Sequence, residues 1–154
     1  MIRVTRLTDY GIMLLTYMSQ DSALPLRTAP DLAAETRLPL PTVSKILKML
    51  ARRGVLVTHR GVNGGFSLAR RPETISISEI VTALEGPIAL TECGADAPGT
   101  CQLERLCPVR SNWQRINQAV RAALEHLTLS DMTRPLSHDF VTLGSRRKSA
   151  ESRR

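Results

Sequence analysis

The sequence predicts a mainly α fold with a small β-hairpin wing, organised as a winged helix-turn-helix followed by a long C-terminal dimerisation helix. Three observations predict it. Helical apolar stripes flank a proline-rich break at residues 37–41, two runs of β-formers enclose Gly61-Val-Asn-Gly-Gly65, and a last apolar stripe runs from Trp113 to Leu127. A chain of 154 residues suits one ordinary domain, and with only two Phe, two Tyr and one Trp its core must be mainly aliphatic.

The elements follow in order. Tyr10, Leu14, Tyr17 and Met18 have the spacing of a first helix. Thr28-Ala-Pro-Asp31 is a variant capping box, with Asp where Glu is usual and Pro30 in the first turn of a short second helix over Leu32 to Glu35. Arg37-Leu-Pro-Leu-Pro41 reads as the turn. Val43, Ile46, Leu47 and Leu50 then recur at i, i+3, i+4 and i+7, leaving Thr42, Ser44, Lys45, Lys48 and Arg52 outside the buried stripe of a recognition helix that Gly54 stops. Val55 to Arg60 and Phe66 to Arg70 read as the wing strands. Ser76-Ile-Ser-Glu79 opens a helix that buries Ile77, Ile80, Val81 and Leu84 and ends at Gly86-Pro87. Ser111 or Asn112 caps the last helix, whose Trp113, Ile116, Val120, Leu124 and Leu127 form a seam suited to a second copy of the chain. The expected organisation is a DNA-binding domain over 1–86, a cysteine-containing cluster loop over 87–110, a dimerisation helix over 111–133 and a disordered basic tail over 134–154.

Charge separates the halves. Residues 1–71 hold eleven Lys/Arg against four Asp/Glu, whereas 72–133 hold four against eight, and Arg37 to Arg71 has eight basic residues and no acidic one. A solvated face normally mixes signs, so this run points to double-stranded DNA as partner. The candidate DNA contacts are Thr28, Pro41, Thr42, Ser44, Lys45, Lys48, Arg52, His59, Arg60, Asn63 and Arg70. No P-loop, G-x-S-x-G or oriented Cys/His pair is present, so the chain reads as a non-enzyme with no small-molecule substrate. Nothing resembles a signal peptide or a membrane-spanning run, and the expected compartment is the cytoplasm.

Cys93, Cys101 and Cys107 are the only three thiols, gathered on a segment rich in loop formers. In a reducing compartment such a cluster reads as a metal site rather than a disulfide framework. A closed zinc site wants a fourth Cys or His nearby, and position 110 is Arg. Soft thiolates suit both zinc and an iron-sulfur cluster, an incomplete ligand set on a loop suits a sensor better than a structural staple, and a thiol redox switch is a further reading.

Thr8-Asp-Tyr-Gly11, Leu50-Ala-Arg-Arg-Gly54, the wing from Arg60 to Arg70 and the three-cysteine segment together resemble the Rrf2 family of bacterial winged-helix regulators, which includes IscR and NsrR. The resemblance spans about residues 2–132 and implies a dimeric transcription factor whose three cysteines hold a 2Fe-2S or 4Fe-4S cluster. Within the family, I-A-L-T-E-C over 88–93 and C-P-V-R-S-N-W-Q-R-I-N from Cys107 are most similar to the regulator of SUF iron-sulfur assembly genes, which implies repression of those genes when clusters are plentiful. The alternatives are a nitric oxide or thiol-redox regulator of the same fold and, from another class, a zinc-stabilised nucleic-acid-binding adaptor. Two positions depart from the pattern: the first cysteine gap is longer than in IscR and NsrR, and Arg110 stands where IscR-like members carry a ligating His. An NsrR-like aspartate ligand from the partner subunit matches Asp9, which otherwise reads as a cap or first-turn carboxylate.

Overall fold

Aliphatic side chains at helical spacing build one core. The computed structural model describes residues 4–20, 26–91 and 106–133. Helices α1 (Arg6–Gln20), α2 (Ala29–Thr36) and α3 (Leu40–Arg52) precede strands β1 (Leu56–His59) and β2 (Gly65–Leu68). A 3-10 turn at Pro72–Thr74 leads to α4 (Ile77–Glu85), and α5 (Arg110–His126) and α6 (Leu129–Thr133) close the described chain. Leu14, Leu15, Leu32, Val43, Ile46, Leu47, Leu50 and Ile80 are fully buried together, so the recognition stripe of α3 is pinned to α1, α2 and α4. The mainly α fold with a hairpin wing is the one expected from the sequence.

Local chemistry sets most boundaries. Thr28 caps α2 by accepting from the Asp31 amide at 3.3 Å, and Ser76 caps α4 by accepting from Glu79 at 3.2 Å. Arg37 ends α2 in the left-handed region (φ 57°), and Gly54 (φ 75°) follows α3.

Five sequence expectations change. Leu40 and Pro41, read as the end of the turn, are the first residues of α3, because a proline in the first turn lacks only an amide the helix leaves unpaired there. Val81 is half-buried rather than interior, and Tyr17 is exposed. Helix α5 starts at Arg110 with no side-chain cap from Ser111 or Asn112. The single helix expected over 111–133 is two: the chain turns extended at Leu127 (φ −90°, ψ 132°), and Thr128 restarts it as α6 by accepting from the Asp131 amide at 3.3 Å. Backbone pairing explains that break. The Ile77 amide donates to Leu127 O and the Leu129 amide to Ile75 O, both at 2.8 Å, and fully buried Leu129 joins the core. Cys93, Cys101 and the tail from 134 onward lie outside the described residues.

One carboxylate joins the start of α1 to the end of α4. Glu85, last in α4, accepts on one oxygen from the Thr5 amide (3.0 Å), the Thr5 hydroxyl (2.9 Å) and the hydroxyl of fully buried Thr8 (2.5 Å) at the start of α1. Partial burial raises its pKa, but these donors from Thr8 and Thr5 outweigh that and hold it below the ordinary carboxylate value. A depressed pKa contributes stability above the unfolded value that is lost as pH falls through the folded one. Glu85→Gln is therefore expected to lower the urea midpoint at neutral pH, with the gap to wild type closing as pH drops through and below the ordinary carboxylate range. A gap that stays constant through that window would show that the charge is not what holds α1.

Candidate nucleic-acid interface

Helix α3 offers its unburied face without acidic residues. Lys45, Lys48, Arg52 and Pro41 are exposed, while Thr42 and Ser44 are half-buried at its margins. Its first turn carries no side-chain cap and no carboxylate, so the helix places no negative side chain of its own at its positive end. Thr28, by contrast, is occupied locally, donating its hydroxyl to Asp31 Oδ2 at 2.5 Å while capping α2.

The wing is an antiparallel hairpin with Leu56 opposite Leu68 and His59 opposite Gly65. Gly61 (φ 112°) turns the chain, and the Gly64 amide donates to Gly61 O at 3.0 Å. A Cβ at position 64 would lie 2.5 Å from His59 O, so only glycine fits that close approach. Arg60, Val62 and Asn63 form the exposed tip. His59 hydrogen-bonds Ser67 Oγ through Nε2 at 2.9 Å. Arg70 donates to Glu79, which anchors the wing base to α4 and leaves that guanidinium only partly available to a phosphate.

Sequence reasoning missed Arg27. Its backbone pairs with Phe66 in both directions (Arg27 N to Phe66 O 2.9 Å, Phe66 N to Arg27 O 2.8 Å), extending the hairpin by one residue on its other edge. A one-residue bridge has no periodic signature to find.

Around the cysteine segment the chain is held on both sides. Before it, the Leu90 amide donates to Asn117 Oδ1 at 3.2 Å, and Asn117 is buried within α5. After it, half-buried Cys107 accepts on its carbonyl from the Arg110 amide at 3.3 Å. Among the described residues no three His, Cys, Asp or Glu gather as a metal site. Asp9 is exposed in the first turn of α1, its amide donating to Thr5 O at 3.1 Å, so its carboxylate is not the helix cap.

The apolar seam divides. Leu124 and Leu127 pack on the chain's own core, and Val120 is half-buried. Trp113 and Ile116 are exposed at 38% and 47%, and Leu106 and Val109 extend their row toward the N-terminus at 84% and 46%. The gaps of three, four and three from Leu106 to Ile116 stand in the sequence, but Leu106 and Val109 flank Cys107 and read as part of its loop. No helix among the described residues is long and apolar enough to cross a membrane.

Comparison with known proteins agrees with this geometry. The family model described as "Rrf2: Iron-dependent Transcriptional regulator" matches residues 4–135. The HTH-type transcriptional regulator NsrR of Shouchella clausii is 30% identical over 131 residues, covering 85% of this chain and 88% of that protein. Protein rrf2 of Nitratidesulfovibrio vulgaris is 28% identical over 137 residues, covering 88% and 90%. Among solved structures, CymR, the global cysteine regulator of B. subtilis, superposes with a TM-score of 0.66 at 23% identity, covering 86% of this chain and 97% of that one. T. potens IscR gives 0.63 at 20% identity, covering 90% and 96%.

Proposed function

We propose, from the premise that this chain belongs to the Rrf2 family of transcriptional regulators, that it is an iron-sulfur-sensing repressor acting as a homodimer on promoter DNA in the cytoplasm. Family membership makes it a regulator and not an enzyme. The single observation that carries the finer reading is the donor set: three thiols and no other within fifteen positions of sequence, with Cys107 at the foot of the helix that bears the exposed apolar row. Three thiolates suit iron and sulfide, and Arg110, whose guanidinium offers donors and no acceptor, cannot complete a zinc site. Cys93, Cys101 and Cys107 would hold the cluster, with Asp9 of a second copy as the candidate oxygen ligand. When bound, the cluster supplies a site sensitive to oxidant, nitric oxide or iron supply.

The chain's own residues would do the rest. Thr42, Ser44 and Lys45 read base edges from the first turns of α3, while Lys48, Arg52 and Arg60 neutralise phosphates and set register. Leu106, Val109, Trp113 and Ile116 meet their copies across a two-fold axis, placing two recognition helices on half-sites separated by whole turns of the duplex. The Asn117 bond to Leu90 ties the cysteine segment to that same helix, so ordering at the thiols reaches the dimer geometry. Repression of SUF assembly genes when clusters are plentiful is the regulatory outcome we infer.

The experiment is anaerobic purification followed by footprinting with cluster-loaded and cluster-free protein. A brown protein whose protection pattern depends on the cluster is expected. A colourless protein that retains zinc turns the reading to the adaptor, and identical footprints in both forms remove the sensing role.

A further inference from the structure

We propose that Arg27 is a positioning residue for DNA recognition, latching the wing to the helix-turn-helix so that Arg60 and α3 meet the duplex as one rigid body. The inference rests on the DNA-binding reading above and adds what fixes the wing's place. Four observations carry it. Arg27 is 5% exposed, although it belongs to a residue type almost never buried unless paired. Its guanidinium donates to Glu35, near the end of α2, the helix that packs on α3. Its backbone takes up both the amide and the carbonyl of Phe66 at the centre of β2. The approach is so close that a Cβ on Gly65 would lie 2.7 Å from Arg27 O.

A hairpin of two four-residue strands is marginal by itself in water. One residue therefore bridges the wing, through its backbone, and α2, through its side chain. Simple stabilisation explains this poorly, because a methionine could fill the same space without removing a charge from water, and buried ion pairs often contribute little net stability. What the guanidinium adds is direction. The wing is held at a set angle by α2, and with it the exposed tip at Arg60.

The test is a double-mutant cycle on DNA binding, using a duplex recovered from a randomised pool by the wild-type protein. Arg27→Met keeps the stem and loses the charge, while Glu35→Ala removes the acceptor at a half-exposed position and carries the test should Arg27→Met fail to fold. Affinity is measured against salt, with urea midpoints confirming the folded state. In wild type, Arg60→Ala is expected to lower the slope of log affinity against log salt by about one. In either latch variant the same change is expected to move the slope by much less, because the wing has already lost its phosphate. A full drop by about one in both backgrounds overturns the proposal and leaves Arg27 as a purely structural residue. A wild type with no salt-dependent duplex binding sinks the DNA reading and the latch together, an outcome distinct from the additive one, which sinks the latch alone.

Discussion

Replacing Cys107 with alanine is expected to abolish cluster retention while leaving the fold standing. Cys107 is half-buried and lies outside the aliphatic core, so its loss opens no cavity among the residues that hold α1, α3 and α4 together. Loss of one of three thiolates, by contrast, leaves a ligand set too small to keep iron and sulfide, and the effect should approach complete loss. Iron and acid-labile sulfide assayed after anaerobic reconstitution decide the matter, with the urea midpoint as the control for folding. Cys93→Ala and Cys101→Ala should behave alike. Full occupancy in any two of the three variants would end the iron-sulfur assignment.

Leu47→Ala should do the opposite, costing stability and leaving the chemistry alone. Leu47 is fully buried in the stripe that seats α3 on the core, and a deleted leucine there costs about 2–5 kcal/mol, the spread reflecting how far the site collapses. For a domain of this size that lowers Tm by on the order of 10 °C. Lys45→Ala, on the exposed face of the same helix, should cost under ~0.5 kcal/mol of stability and instead weaken duplex binding. Thermal unfolding of the two variants side by side makes the check. Equal Tm values would mean that α3 is not seated as the structure places it.

Much of this was legible from the chain because the relevant signals are local. The i, i+3, i+4, i+7 stripe of α3, the hydroxyl caps at Thr28 and Ser76, and the glycines of the wing all act within a few residues of themselves. Partners distant in sequence were the difficulty. Arg70 reads as a DNA contact because nothing in the sequence says that Glu79 will fold beside it, and Arg27 gives no signal at all. The break before α6 falls at Leu127, where the three- and four-residue gaps of the seam give way to a single two-residue gap to Leu129, too short a change to read alone as an extended turn. Yet Thr128 and Asp131 repeat the three-residue capping pattern of Thr28 and Asp31, and that signal was available. Pro41 misled in the other direction, because a proline that breaks a helix interior also suits a first turn.

The return of the chain at Leu127 to Leu129 onto Ile75 and Ile77 means that everything between α4 and α6 hangs from a frame closed by backbone hydrogen bonds. A change in the number of residues spanned by that frame would leave its two backbone hydrogen bonds in place. The entropy of closing a segment grows only with the logarithm of its length, so even doubling it costs about 0.6 kcal/mol. A change in the number of residues between 91 and 106 is then compatible with the same seat of α6 on Ile75 and Ile77.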